Sequence, residues 1–182
     1  MQEPSSDAAA PRNEPIQALA SFGAKFDHAA VASRRIRDLL PIYHDLLGGM
    51  LAMGGDNIRV GYRALQLRYA NGNRVELMEP LEGSHFFDTF FERNNLGGLH
   101  HVTFKVDDIE LVVEAMRAMG YSLTGLFLQD ASWLEVFLHP REAFGTLIQL
   151  AQGDGSYEDE GDMTLEDVLA GHGTRGNGAP SP

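Results

Sequence analysis

The sequence predicts an α+β fold in which two tandem βαβββ modules form one curved mixed sheet. The order of elements is the first observation: a strand, a helical stretch and three strands are followed by the same series again. The spacing of polar residues is the second. An offset of 73 residues maps His28 onto His101 and also Glu76 onto Gln149, which lie 48 residues further on. Matching spacing at both ends of a unit indicates an internal duplication.

The first module is expected over about residues 25–81. It opens with KFDHAAVA (25–32), a short, apolar-rich segment typical of a strand. A helix is expected next, because six apolar residues recur at helical spacing and would bury one face. These are Ile36, Leu39, Leu40, Tyr43, Leu46 and Leu47. Pro41 would kink this helix or mark its first turn. Three strands would complete the module, at about 50–54, 59–70 and 73–80.

The second module is expected over about residues 98–152 and repeats this order. A strand at 98–106 precedes a helix that Asp107 and Asp108 would cap and Gly120 would end. The apolar stripe of that helix is Ile109, Val112, Met116 and Met119. Three strands follow, at about 121–129, 133–139 and 145–152. Between the modules, about residues 84–95 predict a short linker helix.

Composition narrows the possible functions. The 182 residues carry a formal net charge of −12, which argues against sequence-independent binding of nucleic acid. No apolar run reaches the roughly 18–20 residues of a membrane helix. There is no cysteine, which excludes disulfides, thiolate metal sites and cysteine nucleophiles. The N-terminus lacks the pattern of a secretory signal, so a cytoplasmic location is expected.

The two ends of the chain differ from the middle. Residues 1–22 are rich in Pro, Ser, Ala and Glu and predict a disordered arm, while 23–152 form the expected domain. Residues 153–182 hold seven acidic residues and one arginine and predict a mostly disordered tail. Both ends are expected to be dispensable for the functional site. Residues 163–170 are the exception, since they have the pattern of two helical turns and could dock on the domain.

Four residues with metal-ligand chemistry occupy equivalent positions in the two modules: His28, Glu76, His101 and Gln149. A single strand histidine is more often a core or surface residue than a ligand, and a single charged residue can face solvent. The duplication favours a metal site, because equivalent residues converge where two modules pack about a pseudo-twofold axis. Two imidazoles, a carboxylate and an amide oxygen suit one divalent ion such as Zn, Co, Ni, Fe or Mn. The curved sheet would then surround a metal site.

The chain resembles the vicinal oxygen chelate superfamily, which includes glyoxalase I, methylmalonyl-CoA epimerase, extradiol dioxygenases and fosfomycin-resistance proteins. The resemblance covers about residues 25–152 and is strongest to the methylmalonyl-CoA epimerases. It rests on FDH (26–28), IYHDLLGG (42–49), VELMEPL (75–81), GLHHVTFKVDDIE (98–110), FLHP (137–140) and GTLIQL (145–150). It implies a glyoxalase-like fold, with His28, Glu76, His101 and Gln149 at the ligand positions of one divalent metal ion.

Two proton-handling positions depart from the epimerase pattern. The last ligand is normally glutamate and is Gln149 here, and residues 61–64 (GYRA) contain no carboxylate. Glu135 is a candidate replacement, because strand alternation over 133–139 aims Trp133, Glu135, Phe137 and His139 into the cavity. The same offset of 73 places Glu135 opposite Tyr62. Alternatively, Glu135 faces solvent or pairs with an arginine. His100, beside a ligand, is expected to point to the opposite face of the sheet.

The leading hypothesis is a divalent-metal-dependent isomerase or epimerase that acts through a metal-stabilised enolate, with Glu135 or Glu76 as the base. The resemblance implies a methylmalonyl-CoA-like thioester, although the few basic residues reveal no clear site for its phosphates. Alternatives are a glyoxalase-type lyase, a non-haem metal dioxygenase and a resistance-type binding protein. The expected partners are a small-molecule substrate and a second copy of the chain, without nucleic acid or membrane. Predicted substrate contacts are Tyr62, Gln66, Trp133, Phe137 and His139.

Overall fold

Eight strands form a single mixed sheet in the computed structural model, which describes residues 22–153 and 163–173. They are β1 (Lys25–Ala32), β2 (Met50–Asn57), β3 (Tyr62–Arg68), β4 (Arg74–Pro80), β5 (Gly98–Lys105), β6 (Leu123–Phe127), β7 (Trp133–Leu138) and β8 (Leu147–Gly153). Their order across the sheet is β2-β3-β4-β1-β5-β8-β7-β6. This arrangement confirms the predicted fold class of two βαβββ modules in one curved sheet.

The two halves of the sheet repeat the same pairing scheme. In the first module β1 pairs in parallel with β4, and in the second β5 pairs in parallel with β8. The modules join through β1 and β5, which run antiparallel at the centre. Two register shifts interrupt this central pair, one between Phe26 and His28 and the other between Ala30 and Val31. Asp27 and His100 are the extra residues at these bulges.

The second module has the helix that its sequence predicts. Helix α2 (Ile109–Ala118) follows the linker helix α1 (Asp88–Arg93). The Asp108 carboxylate caps α2 by accepting a hydrogen bond from the backbone N–H of Leu111. Its buried face packs against the outer side of the second module and consists of Ile109, Val112, Val113 and Met116. Met119 lies beyond the last turn and is partly exposed.

The first module departs from the predicted helix. Instead of one amphipathic helix, the chain forms a 3₁₀ turn (Ile36–Asp38) and a separate π-helical turn (Pro41–Leu46). Pro41 has no N–H to donate to the preceding turn, and the chain resumes with wider hydrogen bonds such as Leu47 N–H to Ile42 O. Leu46, predicted to be buried, is consequently 76% exposed.

A helix from the C-terminal region completes the outer face of the first module. Helix α3 (Leu165–Leu169) begins at Thr164 with a capping box and lies in the segment that the sequence marked as the exception in the tail. Its Val168 is fully buried and packs with Ile36, Leu65, Leu67 and Leu77. The expected arm over 1–22, apart from residue 22, and the tail over 154–162 and 174–182 lie outside the described residues.

Two arginine side chains hold α3 against the first module. The Arg63 guanidinium donates to both carboxylate oxygens of Asp56 and to the backbone carbonyl of Leu169. The hydrogen bond to Asp56 raises the pKa of Arg63, which stays charged. Arg37 forms a second, exposed pair with Glu166. Among the helices that the structure describes, none has the length and apolar character needed to cross a membrane.

Candidate metal centre and active site

Three predicted ligands meet at the centre of the sheet. His28 on β1, Glu76 on β4 and His101 on β5 present donor atoms that all lie within 4.8 Å of one another. The Nε2 atoms of His28 and His101 each lie 3.8 Å from Oε2 of Glu76. The register explains this convergence, because Ala30 pairs with both Glu76 and His101 on either side of it. The small Ala30 side chain leaves room for the two larger ones to approach.

The chemistry of this donor set fits a divalent cation. All three side chains are 2–3% exposed, and a buried carboxylate is unfavourable without a compensating charge. Two imidazole nitrogens and one carboxylate oxygen are ligands that zinc and the divalent transition metals accept. These three residues would hold the cation, which would leave coordination positions for other groups on the cavity side.

Asp27 orients His28 from the neighbouring bulge. Its Oδ2 lies 2.6 Å from Nδ1 of His28, and its Oδ1 lies 3.8 Å from Nζ of Lys105. Burial alone would raise the pKa of Asp27, but the hydrogen bond with His28 and the charges of His28, Lys105 and Arg74 outweigh it and lower the pKa. Asp27 is therefore a carboxylate, and it accepts the Nδ1–H of His28 so that Nε2 is directed at the ligand cluster.

His100 contacts His101 in the same way, contrary to the expected orientation. The Nδ1 atoms of the two rings lie 2.9 Å apart. Strand alternation would place adjacent residues on opposite faces, but the bulge between Ala30 and Val31 turns His100 toward the cavity. Burial lowers the pKa of His100 to about 4, which keeps its imidazole neutral near pH 7.

Gln149, the fourth predicted ligand, lies one strand further from the cluster. Thr103 pairs with His28 on one side and with Gln149 on the other. Its hydroxyl lies 3.1 Å from Nε2 of His28 and donates to Oε1 of Gln149 at 2.6 Å. The amide nitrogen of Gln149 donates to Oε2 of Glu135 at 2.7 Å. Because a carboxylate only accepts, this contact turns the Gln149 oxygen toward the histidine side.

Glu135 lines the cavity. Strand β7 alternates as its sequence indicates, with Leu134, Val136 and Leu138 packed on the outer core. The indole N–H of Trp133 donates to Oε2 of Glu135 at 2.9 Å, so that two donors share the same carboxylate oxygen. Glu135 is therefore linked to the ligand cluster through Gln149 and Thr103, and it does not face solvent on the outer side of the sheet.

The concave side of the sheet encloses a cavity of about 530 Å³. Four of the predicted substrate contacts line it: Tyr62, Gln66, Trp133 and Phe137. Gln66 is buried, its amide nitrogen lies 3.5 Å from Oε1 of Glu76, and its Oε1 makes no hydrogen bond within the described residues. Its lining includes the aromatic rings of Tyr62, Phe86, Phe90 and Phe137.

Comparison with known protein families shows which superfamily the chain belongs to. The model of the glyoxalase/bleomycin resistance protein/dioxygenase superfamily matches residues 27–135. The chain belongs to this superfamily. The match covers nearly all of the first module and the second module as far as Glu135. It includes three of the four predicted ligand positions, those of His28, Glu76 and His101.

Several relatives within the superfamily are named methylmalonyl-CoA epimerase. The chain is 29% identical to the methylmalonyl-CoA epimerase of Mus musculus, over 70% of this chain and 72% of that protein. It is 25% identical to the ethylmalonyl-CoA/methylmalonyl-CoA epimerase of Cereibacter sphaeroides, over 70% and 97%. The crystal structure of methylmalonyl-CoA epimerase from Mycobacterium tuberculosis is 26% identical, with a TM-score of 0.61, over 70% of this chain and 87% of the other.

The fifth predicted substrate contact lies elsewhere. His139 is not among the residues that line the cavity, because β7 ends at Leu138 and the alternation does not continue. Its Nδ1 instead accepts a hydrogen bond from the backbone N–H of Arg141. In this superfamily member His139 therefore supports the turn that follows β7.

The structure also places positively charged side chains on the cavity wall, and the sequence did not predict them. Arg59, Arg74 and Lys105 all line it, although they are far apart in the chain. Arg59 comes from the β2–β3 connection and stacks on the Phe127 ring at 4.1 Å, so it joins the two outer edges of the sheet. No compositional cluster marks these residues, and the fold alone brings them together.

Proposed function

We propose that the chain is a divalent-metal-dependent epimerase that acts on a methylmalonyl-CoA-like acyl thioester. The observation that carries the proposal is the buried His28, Glu76 and His101 cluster, connected through Thr103 and Gln149 to a carboxylate in the same cavity. A cluster of this kind suits a reaction that removes a proton from carbon next to a carbonyl group. The epimerase names of several relatives support the same reaction class.

Metal binding is assigned to His28, Glu76 and His101, with the Gln149 amide oxygen as fourth ligand. When bound, a divalent cation supplies positive charge that stabilises the negative charge developing on a substrate oxygen. Thr103 and Glu135 fix the orientation of the Gln149 amide, and Asp27 fixes that of His28. Two of the four proposed ligand groups are therefore oriented by hydrogen bonds within the chain.

Glu135 is the base in this mechanism. The carbon–hydrogen bond next to the thioester carbonyl breaks, its electron pair moves toward the carbonyl oxygen, and the proton moves to Glu135. Trp133 and Gln149 both donate to Oε2, so Oε1 is the oxygen that takes the proton. Positioned general bases of this kind contribute roughly 10²–10⁴-fold to rates.

Epimerisation also requires that a proton return to the opposite face of the carbon. Glu76 belongs to the first module and Glu135 to the second. The two carboxylates are therefore held on different halves of the sheet. When Glu135 takes the proton from one face of the carbon, a protonated Glu76 would give its own proton to the other face. Glu135 would then release a proton to solvent and Glu76 would take one up, which restores the starting state. Glu76 would bind the metal through Oε2, which lies 3.8 Å from both histidines, and carry the proton on Oε1. The arrangement mirrors about the pseudo-twofold axis the pattern that the resemblance implies for the epimerases.

Arg59, Arg74 and Lys105 provide positive charge for the anionic groups of such a thioester. They lie on the walls of the same cavity as the metal ligands. The substrate class therefore fits the charges present, although the whole chain is strongly acidic.

The proposal is tested by proton exchange. The purified protein, with its metal content measured by elemental analysis, is incubated in D₂O with a panel of acyl-CoA thioesters that carry an acidic α-hydrogen. We expect one divalent metal per chain and deuterium incorporation into methylmalonyl-CoA or a close homologue, detected by mass spectrometry. Stoichiometric metal without exchange in any thioester would reject the epimerase function.

The same cluster suits a second function. Two histidines and one carboxylate are the ligand set of non-haem Fe(II) oxygenases, and the superfamily includes dioxygenases. A dioxygenase would purify with iron and consume O₂ in the presence of a catechol-type substrate. Oxygen uptake measured on the Fe(II)-loaded protein separates this function from epimerisation. A glyoxalase-type lyase would instead be recognised by turnover of a thiohemiacetal.

A further inference from the structure

The two ligand histidines are supported from equivalent positions in the two modules. Asp27 directly precedes His28 and contacts its Nδ1 at 2.6 Å, and His100 directly precedes His101 and contacts its Nδ1 at 2.9 Å. The offset of 73 residues that relates the ligands also relates Asp27 to His100. Both partners are the extra residues at bulges in the β1–β5 pairing. Bulges near active sites re-aim side chains in this way.

We propose that His100 is a positioning residue that accepts the Nδ1–H of His101 and thereby directs the Nε2 lone pair of His101 at the metal centre. This inference rests on the proposed metal site. A contact between two Nδ1 atoms needs one donor and one acceptor. If His101 binds metal through Nε2, its proton must reside on Nδ1, so His100 must accept there and carry its own proton on Nε2. The geometry therefore assigns a tautomer to each ring.

Three phenylalanine rings hold the His100 imidazole in place. Phe87 and Phe90 each contact its ring edge-to-face, with centroids 5.1 Å away, and Phe86 lies at 6.2 Å. These rings come from α1 and the residues just before it. The linker helix thus has a role at the site. A neutral acceptor also adds no negative charge to a cavity that already contains Asp27, Glu76 and Glu135.

Two substitutions separate positioning from packing. His100→Phe keeps an aromatic ring among the phenylalanines and removes the acceptor. His100→Asp removes the ring but restores an acceptor in the arrangement that Asp27 and His28 already show. If His100 positions His101, His100→Phe weakens binding of Co²⁺ by about 10–100-fold and alters the visible spectrum of the bound ion, while His100→Asp retains both. His85→Phe, at an exposed histidine, is the control.

A packing role predicts the reverse order, with His100→Phe unchanged and His100→Asp impaired, and that result would overturn the inference. Failure of the wild-type protein to bind Co²⁺ would instead overturn the metal site itself. Nitrogen-15 NMR of the wild-type imidazoles gives a test that needs no variant. We expect the proton on Nδ1 of His101 and on Nε2 of His100. The opposite pair of tautomers in the metal-loaded protein would contradict the assignment.

Discussion

At the residue scale, His101 is the sharpest test of the ligand assignment. His101→Ala removes one of the three converging donors, and we expect the metal content to fall from about one ion per chain to none. The sheet should persist, because its core consists of the aliphatic side chains on the outer face and not of the ligands. Elemental analysis and circular dichroism together check this. Stoichiometric metal in a folded His101→Ala protein would remove His101 from the ligand set.

Glu135 and Glu76 are distinguished by their effects on metal and on rate. Glu135→Gln should retain the metal, because His28, Glu76 and His101 are intact and the oxygen of the new amide can still accept from Gln149. It should lower the rate of α-proton exchange by roughly 10²–10⁴-fold, because an amide cannot take up the proton. Glu76→Gln should weaken metal binding as well. The two properties are measured on the same samples by elemental analysis and deuterium incorporation. Undiminished exchange in Glu135→Gln would assign the base to another residue.

The sequence alone predicted the residues proposed as ligands, but not the residues that contact and orient them in the proposal. Equal spacing in two modules was enough to select His28, Glu76 and His101, since a duplicated fold brings equivalent positions together. Asp27 and His100 were not predicted, because in a strand without bulges their side chains would point away from the cavity. The sequence also did not predict the three cations of the cavity, because they share no local pattern. Only the curvature of the sheet brings Arg59, Arg74 and Lys105 to the same cavity.

At the scale of elements, the strands were more predictable than the helices of the first module. Apolar segments bounded by turns marked the strands to within a few residues. Pro41 left the predicted helix open to two readings, and the structure resolves it into two short turns. Helix α3 packs Val168 and Leu169 into the core cluster of the first module, which the predicted helix was expected to cover. The sequence predicted that residues 163–170 form helical turns and could dock, but it gave no indication of the surface that they cover.

The packing of α3 predicts a measurable contribution of this helix to the free energy of unfolding. Val168→Ala deletes fully buried methyl groups, and we expect it to lower the free energy of unfolding by about 2 kcal/mol. Leu111→Ala, at a half-exposed position on α2, is the matched control and should have a much smaller effect. Urea denaturation followed by circular dichroism measures both. A loss of unfolding free energy in Val168→Ala that is as small as the loss in Leu111→Ala would show that α3 does not contribute to the core.

At the scale of the whole molecule, the two modules form one site that neither contains alone. The central β1–β5 pair contributes His28 and His101, β4 contributes Glu76, and β8 contributes Gln149. The proposed ligand in the second module is the amide Gln149, so the only carboxylate among the four proposed ligands is Glu76 in the first module. Glu135, on β7, then places a second carboxylate in the other half.

Removal and return of the metal is the most direct test of metal-dependent proton exchange. The full-length protein is stripped with a chelator, dialysed and reloaded with Co²⁺, Mn²⁺ or Zn²⁺, and deuterium incorporation into methylmalonyl-CoA is measured at each stage. We expect exchange to be lost on stripping and to return with about one ion per chain. Exchange at an undiminished rate in the stripped protein, or none after stoichiometric reloading, would contradict a metal-dependent epimerase.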